Sequence, residues 1–250
     1  MEDRVHDSGE SDQDSPFAIS ESLVPPREQK TAGTTNIDFD GLLSEPLVLQ
    51  EDLKEGCGGQ LWPAGIVLSK YMLRRHHSDL RGKTIVELGA GGGLVGLAVA
   101  RGCSVDSPIY ITDQKPMLAL METNIKLNNL LPLVKASVLD WGTPLPEDIP
   151  HHPAVVLAAD CVYFEPAFPL LVETLQSLIG PETVCYFCFK RRRRADLRFI
   201  KLAKKAFDIT EVTDDPDRQT YARENITIWV IRSKSPAKQT GANRSAETST

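Results

Sequence analysis

Apolar positions along the chain follow two patterns. Short apolar runs bounded by turn residues predict strands, whereas longer stretches with apolar side chains three or four residues apart predict helices. The predicted strands are Pro46–Gln50, Lys83–Leu88, Ile109–Thr112, Val134–Leu139, Ala154–Ala159, Thr183–Lys190, Phe207–Val212 and Asn225–Ile231. The predicted helices are Pro63–His76, Gly93–Arg101, Lys115–Asn129, Pro166–Ile179 and Ala195–Lys205. We expect Pro46–Gln50 to pair near Gly59–Trp62 across a Gly-rich turn.

Strands and helices alternate from Lys83 onward, which is typical of an α/β fold with a largely parallel sheet. The link Asp214–Arg223 between the last two strands is short, so we expect those strands to be antiparallel. The sequence therefore predicts a Rossmann-like, seven-stranded mixed sheet with helices on both faces. Ligands of such sheets bind at the carboxyl ends of the strands.

The two ends of the chain differ in composition from its centre. Residues 1–35 hold eight acidic and three basic side chains and few large apolar ones, so most of the net charge of −6 lies there. Such segments bury too little apolar area to offset their loss of conformational entropy. We therefore predict disordered tails over 1–35 and 234–250, with one folded domain over 36–233.

Composition excludes several classes of protein. The chain is 41% apolar and 25% charged, and it has no apolar run long enough to cross a membrane. Its acidic N-terminus lacks the apolar segment of a secretory signal. Five scattered cysteines are typical of reduced thiols rather than a disulfide framework. We expect a cytosolic monomer, with the nucleus left open, that binds neither a membrane nor nucleic acid.

The richest local motif is the glycine turn Glu87-Leu-Gly-Ala-Gly-Gly-Gly93 between a strand and a helix. Glycine suits a sharp turn with positive φ and a backbone that approaches a ligand closely. One interpretation is a dinucleotide site, because Gly91-Gly-Gly93-Leu-Val-Gly96 matches G-x-G-x-x-G and Asp113 follows about 20 residues later. The other interpretation begins the turn at Gly89, so that Gly89, Ala90 and Gly91 contact a different cofactor.

Glu87 favours the second interpretation. A carboxylate just before the turn repels a pyrophosphate and attracts a sulfonium or an ammonium group. Asp113 can accept hydrogen bonds from ribose hydroxyls in both cases and does not discriminate. The residues therefore favour S-adenosylmethionine over NAD.

Four segments together resemble the seven-strand S-adenosylmethionine-dependent protein-lysine methyltransferases of the methyltransferase-like 21 type. They are Val86–Gly96, Leu61-Trp-Pro-Ala-Gly65, Leu139-Asp-Trp-Gly142 and Ala158-Ala-Asp-Cys-Val-Tyr-Phe164. The resemblance spans about residues 40–232. It implies methyl transfer to a protein lysine, and it lies nearest to fungal members that modify translation elongation factor 1-alpha.

The resemblance also implies roles for single residues. Trp62 is expected at the methionine end of the cofactor, where an aromatic face attracts a cation, and Trp141 at the adenine. Ala159 leaves room beside the methionine part. Asp160 and Tyr163 match a D-x-x-Y motif that places the substrate lysine. An N-cap for the next helix is an alternative role for Asp160.

Two further motifs allow several interpretations. The basic run Lys190–Arg194 follows a predicted strand at the ligand edge of the sheet. It is a solvated charge run, a nuclear signal or nucleic-acid patch, or a surface that docks an acidic substrate protein. Its position beside the crevice favours docking. The C-x-x-C spacing of Cys185 and Cys188 lies in a strand, whose side chains three apart face opposite sides, so we predict core packing and no metal site.

The favoured function is methyl transfer from S-adenosylmethionine to a lysine of a protein, which we expect to be elongation factor 1-alpha. Three alternatives remain at this stage. One is a methyltransferase for nucleic acid or a small molecule, although the N-P-P-Y signature of adenine-N6 enzymes is absent. The second is a non-catalytic binding module, and the third a nicotinamide-dependent oxidoreductase.

Overall fold

A seven-stranded sheet lies at the centre of the structure, a computed structural model that describes residues 33–52 and 59–234. Its strands are β3 (Ile85–Leu88), β4 (Ile109–Asp113), β5 (Val134–Val138), β6 (Val155–Ala159), β7 (Val184–Lys190), β8 (Phe207–Glu211) and β9 (Ile226–Ser233). The strand order is β5-β4-β3-β6-β7-β9-β8. Strand β9 runs antiparallel to both of its neighbours, and the other pairs are parallel. The predicted mixed sheet with an antiparallel last pair is confirmed.

Helices cover both faces of this sheet, as predicted. One face carries α1 (Pro63–Arg75), α2 (Leu94–Gly102) and α3 (Leu118–Leu127), and the other carries α4 (Phe168–Leu178) and α5 (Asp196–Ala206). The side chains of β3 alternate between the two cores, since Ile85 packs in the first and Val86 in the second. Burial on both faces explains why the central strands are short apolar runs in the sequence.

The strand order reverses between β3 and β6. From β3 the chain proceeds outward through β4 to β5, whereas β6 begins the other half of the sheet on the opposite side of β3. Connections that leave in opposite directions open a crevice at the carboxyl ends of these two strands. The functional site lies there.

A separate hairpin packs on α3. Strands β1 (Gly33–Ile37) and β2 (Leu47–Glu51) are antiparallel. The predicted pairing of Pro46–Gln50 with Gly59–Trp62 is therefore wrong, apart from a single bridge between Asp52 and Gly59. Because β1 offers a complete ladder, β2 pairs with it over Leu47–Glu51.

The remaining differences are local. The helices predicted from Lys115 and Pro166 begin with the 3-10 turns Lys115–Met117 and Glu165–Ala167, and the link before β9 contains a short helix, α6 (Arg218–Arg223). No helix within 33–52 and 59–234 is long and apolar enough to cross a membrane. The predictions for residues 1–32 and 235–250, and Cys57, lie outside the described residues.

Candidate active site

A cleft of about 260 Å³ opens at the carboxyl ends of β3, β4 and β6. All ten site residues predicted from the sequence line this cleft. They are Trp62, Glu87, Gly89, Ala90, Gly91, Asp113, Trp141, Ala159, Asp160 and Tyr163. The structure thus brings together residues from five places in the chain, up to about a hundred residues apart, while the role of each residue stays a prediction.

The glycine turn follows the register that begins at Gly89. Gly89, Gly91 and Gly93 have φ values of 66°, 56° and 88°, in the left-handed region that favours glycine. A Cβ atom on Gly89 would lie 2.7 Å from the Cys161 sulfur and 3.1 Å from the Trp141 ring. Gly89 therefore lets the turn pack directly against the wall that Trp141 and Cys161 form.

Glu87 lies beneath this turn and caps helix α2. Its side chain is buried, and its Oε2 accepts a hydrogen bond of 2.7 Å from the Gly96 amide. A Cβ atom on Gly96 would lie 2.7 Å from that oxygen and 2.4 Å from Ile111, so packing explains why Gly96 completes the G-x-G-x-x-G pattern. A dinucleotide places its pyrophosphate at this helix N-terminus. Glu87 fills that position with a carboxylate, which argues against the NAD interpretation.

Burial raises the pKa of Glu87 to about 8, although the Gly96 and Val95 amides oppose the shift and Asp113 adds to it. Burial also raises the pKa of Asp113. Both carboxyl groups would ionise more readily beside a positive charge. The cleft is therefore electrostatically suited to a ligand that carries a cationic group.

Asp113 ends β4 and contacts the glycine turn. Its Oδ2 accepts a hydrogen bond of 2.7 Å from the Gly91 amide, and its Oδ1 accepts one of 2.7 Å from the Gln114 amide. Each carboxylate oxygen can accept a second hydrogen bond. Asp113 thus keeps acceptor capacity for a ligand diol while it fixes the turn.

Asp160 follows β6 with a φ of 57°, a conformation that few non-glycine residues adopt. Its side chain is 3% exposed and forms a bidentate pair with Arg192. The Arg192 Nη1 atom donates to Oδ1 at 2.8 Å, and Nη2 donates to Oδ2 at 2.7 Å. Asp160 is therefore an ion-paired cleft residue. Asp160 is not the N-cap of the next helical turn, the alternative role for it, because Phe164 occupies that position.

Arg192 lines the cleft as well, and the sequence did not single it out from its neighbours in the basic run. Its guanidinium lies 5.3 Å from the centre of the Trp62 ring while it pairs with Asp160. It thereby joins the end of β6, the end of β7 and the start of α1 across the cleft. In the sequence it is one of four consecutive arginines, and only its distant partner Asp160 sets it apart.

The other members of the basic run differ from it and from one another. The Lys190 ammonium pairs with Glu224 at 3.2 Å. Arg193 pairs with the buried Asp196 at 3.2 Å and donates to the Tyr163 carbonyl oxygen. Arg191 and Arg194 are exposed, and no ion pair within the described ranges engages them. The run is therefore not one continuous docking surface.

Aromatic side chains stand at the mouth of the cleft. Tyr163 and Phe164 line it and are 53% and 57% exposed. Exposed aromatic residues next to a concave site are typical of surfaces that bind another molecule. Both residues follow Asp160 closely in the chain and line the same cleft as it does.

The cysteines within the described residues are buried. Cys185 packs in one core and Cys188 in the other, on opposite faces of β7, as the strand pattern predicted. Burial raises the pKa of both thiols and of Cys161 beneath the glycine turn. Thiols that stay protonated are poor nucleophiles and poor metal ligands. The described ranges contain no cluster of three His, Cys, Asp or Glu side chains able to hold a metal ion.

Comparisons with known sequences give a consistent result. A family profile described as lysine methyltransferase matches residues 42–206. Protein-lysine N-methyltransferase EFM6 of Saccharomyces cerevisiae is 37% identical over 234 residues, which cover 84% of this chain and 95% of the yeast protein. Protein N-lysine methyltransferase METTL21A of Mus musculus is 30% identical over 208 residues, covering 80% and 94%. EEF1A lysine methyltransferase 3 of the same species is 36% identical over 187 residues, covering 73% and 75%.

Solved structures give the fold. The CurJ carbon methyltransferase aligns with a TM-score of 0.50 at 15% identity, over 69% of this chain and 54% of that one. Likeness at this identity speaks only for the shared architecture, the Rossmann-like methyltransferase fold that the strand order shows independently.

Proposed function

The chain belongs to the lysine methyltransferase family, and we propose that the protein it methylates is translation elongation factor 1-alpha. It is an S-adenosylmethionine-dependent protein-lysine N-methyltransferase, as the four motif segments predicted. One observation carries the reaction: a single cleft contains the glycine turn, Asp113 and the Asp160–Tyr163 segment. The proposed target is supported by a relative whose name specifies EEF1A.

The cleft residues fit the methyl donor, which supplies an electrophilic methyl group on a positively charged sulfur. Asp113 would accept hydrogen bonds from the ribose hydroxyls, and Trp141 offers a flat ring for the adenine. The glycine turn offers backbone without side chains, and Ala159 adds little bulk. The buried Glu87 would favour a cationic ligand because its carboxyl group loses its proton more easily beside one.

The target lysine must react as the neutral amine. From a reference pKa near 10.4, deprotonation at pH 7 costs about 4–5 kcal/mol. A partly desolvated position lowers that cost, because burial disfavours the ammonium form. Tyr163 at the mouth and Asp160 within the cleft would orient the side chain, so that positioning supplies most of the rate.

Docking through the basic run is part of the proposal in a narrower form. Since Lys190, Arg192 and Arg193 are engaged within the chain, Arg191 and Arg194 would meet an acidic surface of the substrate, next to the exposed Tyr163 and Phe164. Exposed charges of this kind steer association and make it sensitive to salt. We expect the enzyme to act as a monomer in the cytosol, where translation takes place.

Mass spectrometry of a defined reaction tests the proposed target. Elongation factor 1-alpha purified from cells that lack the enzyme would be incubated with it and S-adenosylmethionine, and its peptides analysed. The proposal predicts added methyl groups on one lysine with the wild type and none with Asp160→Ala. Methylation of other proteins in a cell extract, with elongation factor 1-alpha unmodified, would contradict the target but not the reaction.

A further inference from the structure

Asp160 has almost all of its hydrogen-bonding capacity occupied within the chain. Its Oδ1 accepts from Arg192 Nη1 at 2.8 Å and from the Lys190 amide at 3.3 Å, and its Oδ2 accepts from Arg192 Nη2 at 2.7 Å. An ionised carboxyl group offers about four acceptor positions. The residue is also nearly excluded from solvent, with 3% of its side chain exposed. A carboxylate so engaged is poorly placed to remove a proton from a substrate.

An unpaired carboxylate at this position would hinder the reaction. A negative charge within about 4–6 Å of an amine favours its ammonium form and raises its pKa. The ammonium has no lone pair with which to attack a methyl group. A buried Asp160 without a counter-charge would therefore hold the target lysine in its unreactive form.

Arg192 supplies the counter-charge from a fixed position. The guanidinium is held by two contacts, the bidentate pair with Asp160 and the face of the Trp62 ring. Guanidinium groups do not lose their proton in proteins, so the charge is present across the working pH range. Its side chain is 29% exposed, and it lines the same cleft as Tyr163.

We propose that Arg192 is a positioning residue that neutralises Asp160 and thereby lets the target lysine stand in the cleft as the neutral amine. The inference rests on the proposed lysine methylation. The proton that the ammonium gives up passes to water at the mouth of the cleft. A cationic neighbour is a general way of lowering the pKa of a reactive amine.

Other ionisable groups around the cleft do not take over this role. Glu87 and Asp113 are carboxyl groups and can supply no positive charge, and burial raises the pKa values of Cys161 and Cys188, so that these thiols stay protonated. The remaining groups on elements packed against the pair are Tyr163, Lys190, Arg191, Arg193, Asp196 and Glu224. Lys190 and Arg193 are compensated by Glu224 and Asp196. Arg192 is thus the cation that compensates Asp160.

The pH dependence of kcat tests the inference. Rates of methyl-lysine formation would be measured from pH 6 to 10 at saturating S-adenosylmethionine. The substrate is elongation factor 1-alpha, or a cell extract if that factor is not modified. Arg192→Gln removes the charge, Arg192→Lys keeps it, and Asp160→Asn with Arg192→Gln removes both charges as a pair. Arg81→Gln is the control, because Arg81 is exposed and precedes β3, at the amino ends of the strands and away from the cleft.

A charge effect predicts a specific order of the pH profiles. In Arg192→Gln, the acidic limb of the plot of kcat against pH moves to higher pH by about 1–3 units. Its kcat at pH 7 therefore falls tenfold or more and returns towards the wild-type value at alkaline pH. Arg192→Lys and Arg81→Gln keep the limb near that of the wild type. The double variant, whose carboxamide at position 160 still offers an acceptor oxygen, keeps the limb there as well at a lower kcat. If Arg192→Gln does not fold, the double variant carries the test: a limb shifted as far as one unit there would contradict the inference.

The inference and the proposed function fail in different ways. An active Arg192→Gln enzyme whose limb coincides with that of the wild type, at a uniformly lower kcat, would show that the pair is merely structural and would overturn the inference alone. Absence of methyl-lysine with the wild-type enzyme in every substrate at every pH would overturn both.

Discussion

Single residues in this cleft obtain their roles from partners that are distant in the sequence. Arg192 and Arg193 are neighbours of the same type, yet one pairs with Asp160 in the cleft and the other with Asp196 at the start of α5. The motifs predicted that Asp160 and Tyr163 lie at the ligand edge. They could not predict the counter-charge of Asp160, because nothing in a run of identical side chains says which one turns inward.

Glu87 is a second residue whose contacts the sequence predicts only in part. Its place before the turn predicted a carboxylate near the cofactor, and the structure lines the cleft with it. That it also caps α2 through Gly96 follows only from the packing of β3 against that helix. Glu87 thus lines the cleft and also holds the start of α2.

Replacing Glu87 by Gln should make stability less dependent on pH. The folded-state pKa is about 8, above the ordinary 4.5, so the stabilisation is complete below pH 4.5 and is lost as pH rises through 8. The wild-type free energy of unfolding should fall relative to that of Glu87→Gln by up to about 1.4 kcal/mol per pH unit in that window. Urea unfolding of the cofactor-free proteins at pH 5.5 to 8.5 measures this.

Cofactor binding should show the opposite sign. A cationic ligand prefers ionised Glu87, so the affinity for S-adenosylmethionine relative to S-adenosylhomocysteine should fall as pH drops below 8, and should stay flat in Glu87→Gln. Glu122→Gln, on an exposed position of α3, is the control for both measurements. Parallel stability curves for wild type and Glu87→Gln would show that Glu87 is not the titrating group.

Gly89→Ala should weaken cofactor binding beyond its backbone cost. Gly89 and Gly82 share positive φ values of 66° and 70°, so alanine strains the backbone at both by about 1–2 kcal/mol. Only Gly89 would place its Cβ against Cys161 and Trp141, since nothing lies within 4 Å at Gly82. Calorimetry should show at least about a tenfold loss of affinity for S-adenosylmethionine in Gly89→Ala and none in Gly82→Ala. Equal affinities would mean that the turn does not contact the cofactor.

At the level of elements, the central strands and helices were predictable and the hairpin pairing was not. Buried parallel strands appear in the sequence as continuous apolar runs, and glycines or prolines mark the ends of the helices. Strand β2 pairs with β1 and is also held by two side-chain amides, Asn124 on α3 and Asn128 at the C-cap of that helix, which bond the backbone of Gln50 and Val48. Such contacts join residues more than seventy positions apart and leave no local pattern.

Asn124→Ala should loosen the hairpin wall of the cleft. Its amide also donates to the Gly92 carbonyl oxygen at 2.9 Å and so joins β2 to the glycine turn. Removing these bonds should cost about 1–3 kcal/mol of stability, speed hydrogen exchange at the Gln50 amide and weaken S-adenosylmethionine binding. Thr123→Ala, one position earlier on α3, is the control. Unchanged exchange at Gln50 in Asn124→Ala would show that β1 alone holds β2.

Over the whole molecule, charge is distributed unevenly, so the net charge says little about the charges beside the cleft. Most of the charge of −6 comes from residues 1–35, while exposed arginines stand beside the cleft. Replacing Arg191 and Arg194 together by Gln should raise the KM for the protein substrate and flatten its salt dependence, with kcat little changed. Steady-state kinetics at several ionic strengths checks this. A KM with the wild-type salt dependence would place docking elsewhere.

Transfer of a labelled methyl group into a cell extract tests the central claim most directly. The extract would come from cells that lack the enzyme, and the donor would be S-adenosylmethionine labelled in its methyl group. After hydrolysis of the acid-insoluble material, we predict that the label is recovered as methyl-lysine from protein with the wild type and is absent with Asp160→Ala. Label confined to RNA or DNA would contradict the account.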